Sequence, residues 1–178
     1  VTTDDSAAAA AAVGSLAVMG PKKIAVIGGE REYSDTGRLR YAGVLRALTE
    51  RGRTFDVDRY YKTAHYSFDE GYEAMAELLR EAPEITAVFA MADVMAIGAA
   101  RAIRDAGKRI PEDISLIGFD GLPICRYYEP RLSTVTQQVS FMAEKSYAVL
   151  LDMIENGKGA QHVLAPYTLE KTDSIRKY

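Results

Sequence analysis

The chain has 178 residues, 48% of them hydrophobic, and a formal charge of -3 from 22 basic and 25 acidic side chains. That length suits one domain or a little more, and the fine mixing of charged and apolar residues argues against disorder. A slightly acidic balance with no helix-turn-helix pattern and no basic arm argues against a nucleic-acid surface within these residues, and the single cysteine, Cys125, leaves no internal disulfide and makes the cytoplasm the expected compartment.

In chain order, Val1-Thr2-Thr3 is a short β-branched start. Asp5 or Ser6 is placed to cap a helix that runs to Met19, with Gly20-Pro21 as its stop. The alanine run from Ala7 to Ala12 lies inside that helix. Acidic residues precede it where a signal peptide needs basic ones, and it is too short to span a membrane.

Ile24 to Ile27 predicts a central strand with close backbone approach at Gly28-Gly29. After a polar loop, Arg38 to Arg51 predicts a helix with Tyr41, Val44, Leu45 and Leu48 on one face, stopped at Gly52. Val57 to Tyr61 reads as a second strand, followed by an aromatic-rich loop from Lys62 to Phe68. Ser67 or Asp69 caps the next helix, which buries Tyr72, Met75, Ala76, Leu78 and Leu79 and closes before Pro83.

Ile85 to Ala90 is a third strand. Asp93 is placed to cap a helix through Ile103 or Arg104, closed by Gly107, and Ile114 to Gly118 forms the next strand, ending at Phe119-Asp120-Gly121. A hairpin cannot hold a helix of that length, so the two strands lie parallel with a right-handed crossover. Leu132 to Thr136 adds a strand, Ser140 to Glu155 a helix ending at Asn156-Gly157, and Val163 to Leu169 an extended segment that Pro166 confines to an edge. This alternation predicts an α/β fold with a doubly wound parallel sheet.

In such a sheet the carboxyl ends of the strands share one rim, where ligands bind. Arg40, one turn into its helix, either turns back to donate paired hydrogen bonds to vicinal hydroxyls or a carboxylate, or stays on the surface beside Arg38 and Arg46. Asp120 is placed to accept two ligand hydroxyl protons, or to form an Asx turn. Of Tyr60, Tyr61, His65, Tyr66 and Phe68, one is expected to offer a face to a sugar ring; Asp93 is read as a cap rather than a ligand residue. Catalytic signatures are thin. His65 and His162 are not in a metal-ligand spacing, Cys125 has no histidine near it in sequence, and there is no G-x-S-x-G, P-loop or G-x-G-x-x-G. A binding module with no cofactor and no metal is expected.

Thr86 to Ala99, Ile110-Pro111-Glu112-Asp113-Ile114-Ser115-Leu116-Ile117-Gly118-Phe119-Asp120, Pro130 to Val135, and Arg38-Leu39-Arg40-Tyr41-Ala42-Gly43 together resemble the effector-binding core of LacI/GalR (lactose-repressor) family transcriptional regulators. The resemblance implies a type I periplasmic-binding-protein-like fold, with residues 4–136 and 163–178 in the C-terminal subdomain. Residues 137–160 would cross into an N-terminal subdomain outside this chain, and operator DNA would be bound through a further domain. By motif match it implies Arg40 and Asp120 as hydroxyl-binding residues, Tyr66 near the stacking aromatic, and Gln137 near a polar contact on the crossover. It also implies a small-molecule effector, a sugar or related metabolite, and a homodimer built through Tyr72 to Leu79, Ile97 to Ile103 and Ile124 to Tyr128, with no membrane. Where the family often has Asn-Asp after the third strand, this chain has Ala92-Asp93, and the final segment lacks the usual arginine. Two rivals share these residues: a transport-type periplasmic sugar-binding protein, and an α/β enzyme of flavodoxin-like build.

Overall fold

The computed structural model describes residues 1–18 and 23–176, so the predicted helix end at Met19 and the Gly20-Pro21 stop lie outside the described residues. β1 (Thr2–Thr3) leads into α1 (Asp5–Ala17), whose cap is Asp4, one residue earlier than expected; its carboxylate accepts the Ala7 N–H at 2.9 Å. The alanines of α1 serve close packing. Ala8, Ala9 and Ala12 are fully buried, and α2 (Asp35–Thr49) approaches so near that a Cβ on Gly43 would stand 2.3 Å from the Ser6 carbonyl. Ser34 caps α2 through the Gly37 N–H, so this helix begins three residues before the predicted Arg38.

β2 (Ile24–Gly28) is buried along its whole length, as a strand covered on both faces must be. The predicted strand at Val57 to Tyr61 is corrected: Val57–Tyr60 forms a single turn of helix, α3, and β3 spans only Tyr61–Thr63. The Asp56 side chain accepts the Arg59 N–H at 3.2 Å, and that cap outweighs the strand preference of the residues behind it. Ser67, not Asp69, caps α4 (Phe68–Glu81). β4 (Ala87–Ala90), α5 (Asp93–Asp105), β5 (Ser115–Asp120), β6 (Ser133–Gln137), α6 (Val139–Asn156), β7 (Leu164–Ala165) and β8 (Tyr167–Glu170) complete the order.

The main sheet runs β3-β2-β4-β5-β6-β8, parallel throughout except for β8, which pairs antiparallel with β6 at the edge where Pro166 placed it. Successive residues of β5 show which helices cover which face. A Cβ on Gly118 would meet Asp93 and Ala96 of α5, whereas the ring of Phe119 lies under Arg40 of α2. Thus α1 and α2 cover one face and α4 and α5 the other, the doubly wound arrangement. Phe89, Phe119, Ile117, Leu116, Leu16 and Met75 are fully buried between them.

β1 and β7 stand apart as a two-stranded parallel pair. The backbone therefore passes between the small pair or α6 and the main body three times: at Thr3 to Asp5, at Gln137 to Val139, and at Ala165 to Tyr167. No residue of α6 is buried.

Candidate functional site

Arg40 is 5% exposed and takes the inward alternative. Its Nε donates to Asp5 Oδ1 at 2.7 Å, Nη1 donates to the Met91 carbonyl at the end of β4, and the guanidinium carbon lies 3.5 Å from the centre of the Phe119 ring. Held in that way, Nη2 faces Asp120 Oδ1 at 3.8 Å. Arg38, by contrast, pairs with Asp35 on the exposed side of α2.

Asp120 closes β5 with φ of 118°, followed by Gly121 at φ of 77°, so the chain turns sharply and leaves the carboxylate at the rim. Its Oδ1 accepts from Gln137 Nε2 at 2.8 Å, and Gln137 Oε1 accepts from Thr3 Oγ1 at 2.7 Å. Burial pushes the Asp120 carboxyl up to about 6, with Arg40 acting against the rise and Asp93 and Asp5 adding to it.

Tyr66 is the other residue with a left-handed backbone, φ of 57°; among the described residues it and Asp120 are the only non-glycines there. Strain of this kind gathers at functional positions. The Tyr66 side chain lies over Gly29, where an added Cβ would meet its hydroxyl at 2.6 Å, and it remains 39% exposed. The other aromatics of the loop region divide differently. The buried Tyr61 hydroxyl donates to the Gly29 carbonyl, Tyr60 is bonded to Glu84, and His65 sits between Glu70 at 2.6 Å and Glu30 at 3.5 Å. Neighbouring contacts thus link Tyr66, Gly29, Tyr61, Met91, Arg40, Asp120, Gln137 and Thr3 along one rim.

Asp93 is a correction. The cap position of α5 is Ala92, which makes no side-chain bond, and Asp93 is wholly buried in the first turn. Its carboxylate accepts the Leu122 N–H and the Thr134 hydroxyl, each at 2.7 Å, and so ties the loop after β5 to β6; burial raises its pKa. Two residues of the cluster escaped the sequence reading: Thr3 carried no signal, and Asp5 was expected only as a cap. Met91 to Asp93 was expected at the rim as the end of its strand, and Met91 contributes there through its carbonyl.

Chemically, the rim offers guanidinium and amide donors, a carboxylate acceptor and a half-exposed ring face, the mixture that a hydroxylated ring ligand needs. Among the described residues no three His, Cys, Asp or Glu side chains gather to hold a metal ion, and no helix is long and apolar enough to cross a membrane.

The model of the periplasmic binding protein-like domain family matches residues 13–175. The chain is 37% identical over 135 residues to the transcriptional repressor PurR of Pasteurella multocida, covering 76% of this chain and 40% of that protein, and 33% identical to the regulator CelR of Thermobifida fusca over 76% and 39%. It therefore spans about 40% of the length of the curated relatives it matches. Among solved structures, a CelR–cellobiose complex superposes with a TM-score of 0.91 at 29% identity over 97% of this chain and 52% of that one. A LacI-family regulator from Enterococcus faecium with bound ribose superposes at 0.86 with 32% identity, over 97% and 63%. The chain belongs to the periplasmic binding protein-like domain family, in its LacI/GalR branch of transcriptional regulators.

Proposed function

We propose that this chain is the effector-binding and dimerisation part of a cytoplasmic DNA-binding transcriptional regulator, without catalytic activity, and that its effector is a sugar or related polar metabolite. The observation that carries this reading is the buried Arg40 held against Asp5 and Met91 so that it faces Asp120 at the rim, with the exposed face of Tyr66 on the same rim. Arg40 and Asp120 bind ring hydroxyls, Tyr66 stacks, and Gln137, with one amide hydrogen given to Asp120, has a second to give. That structural relatives hold cellobiose and ribose supports a sugar. That the relatives are regulators favours this reading over a transport-type protein of the same fold. Residues 4–136 and 167–176 form one wall of the cleft, and the segment 137–165, in which β7 pairs with β1 rather than with the main sheet, belongs with the other. Effector binding favours one closure angle, and a homodimer interface through Tyr72, Ile124 and Tyr127, all exposed here, passes it to DNA-binding heads elsewhere in the protein.

The test is a thermal-shift screen of the intact gene product against cellobiose, ribose, other sugars and nucleosides. A stabilising sugar is expected, and Arg40→Ala and Asp120→Ala should abolish its effect. Variants that respond as the parent does would remove the site from the proposal.

A further inference from the structure

Gln137 is the place where the chain's three crossings meet. Its backbone ends β6 and is in register with Tyr167, the first residue of β8 after the third crossing, and the chain turns into α6 directly beyond it. Its side-chain carbonyl receives the hydroxyl of Thr3, the last residue of β1 before the first crossing, while its amide is given to Asp120. Thr3 is 4% exposed, and its hydroxyl is also 3.8 Å from the Met142 sulfur in α6. On the other side of Asp120, Arg40 returns the cluster to Asp5 at the start of α1. An amide fixed in this way has one orientation: turning its group over would set its NH2 against the Thr3 hydroxyl, which would lose its acceptor, and its carbonyl against the Asp120 carboxylate.

We propose that Thr3 and Gln137 are positioning residues, a latch that passes the state of Asp120 to the β1–β7 pair, so that events at the rim alter the crossings rather than only the cleft wall. When Asp120 is charged it draws the Gln137 N–H and holds the Thr3 hydroxyl on Oε1. When the carboxylate is neutralised, or taken by a ligand hydroxyl, that pull weakens and Thr3 is freed. The latch gives the proposed effector site its regulation and in that sense rests on that reading; its test uses no effector, so the two fail separately.

Protonation supplies the perturbation. The charged or ionisable groups facing Asp120 are Arg40, Asp5, Asp93 and the Cys125 thiol, and the β1–β7 pair has an imidazole of its own beside it, His162, 3.1 Å from the Thr2 hydroxyl. The experiment is an NMR pH titration of the 178-residue chain carrying His162→Gln, following the Asp120 carboxyl carbon and the backbone amides of Thr3, Leu164 and Ala165. Those amides are expected to shift with the midpoint of Asp120. In Gln137→Leu and in Thr3→Val that component should shrink at least several-fold while Asp120 itself still titrates. Amides that ignore Asp120 in the parent, or follow it undiminished in Thr3→Val, would overturn the proposal. Thr3→Val, nearly isosteric and removing only one hydroxyl, decides the matter alone if Gln137→Leu does not fold.

Discussion

Asp120 combines a strained backbone with a carboxylate that burial pushes up to about 6, and both features oppose stability near neutrality. Arg40 compensates only in part, because at 3.8 Å its Nη2 is beyond a close charge-assisted bond and its other donors serve Asp5 and Met91. An acid whose folded-state pKa lies above its unfolded value, here about 3.9, holds its proton more tightly when folded. Its contribution to stability is therefore complete below that unfolded value and is lost as pH rises through about 6. Asp120→Asn removes the charge and keeps a short polar side chain of the kind that tolerates a positive φ. It should match the parent at pH 4 and exceed it by roughly 1–2 kcal/mol at pH 8, discounted from the full shift for partial solvation. Urea denaturation at the two pH values measures this, and a variant less stable than the parent at pH 8 would show that the ion pair with Arg40 outweighs burial. The same variant should lose effector response, which makes the site an instance of stability given up for function.

At the scale of elements, α4 and α5 touch backbone to backbone. A Cβ on Gly98 would stand 2.0 Å from the Phe68 carbonyl, and one on Gly71 would stand 2.5 Å from that of Met95. Gly98→Ala should therefore destabilise by about 2–3 kcal/mol through overpacking, although alanine is the better helix former by about 1 kcal/mol. A denaturation midpoint unchanged or raised in this variant would mean that the helices can part cheaply. The two glycines also show what a sequence displays and what it hides. The Phe68–Glu81 and Asp93–Asp105 helices were legible from apolar periodicity, and the strands at Ile24 and Ser115 from continuous apolar runs, because both signals are local. Arg40 and Asp120 were legible as candidates because each sits beside a strand end or helix start. The role of Asp93 was not, since its partners Leu122 and Thr134 lie 29 and 41 residues away. Nor was Thr3, whose partner is 134 residues distant. The short turn at Val57–Tyr60 failed for the opposite reason: a local cap at Asp56 overrode a pattern of β-branched and aromatic residues that reads as strand.

Across the whole molecule, apolar surface is unevenly placed. In α6, Val139 is 66% exposed, Tyr147 66%, Leu150 55% and Ile154 71%, whereas the sheet between the other helices is sealed. An eighteen-residue helix with no fully buried residue draws little stability from the main body, since packing of an apolar face is what ordinarily holds a helix of this kind. The double variant Leu150→Lys, Ile154→Lys should accordingly leave the unfolding free energy of this chain within about 0.5 kcal/mol of the parent. It should also reduce self-association, because an exposed apolar ridge is what a second copy would cover. In a longer protein that supplies the proposed N-terminal subdomain, the same pair should cost several kcal/mol, on the order of 2–5 for each buried leucine or isoleucine lost. Sedimentation velocity and denaturation of both forms separate the cases. Equal, small effects in the two would mean that α6 is a free helix, and the assignment of segment 137–165 to the opposite wall of the cleft would fall with it.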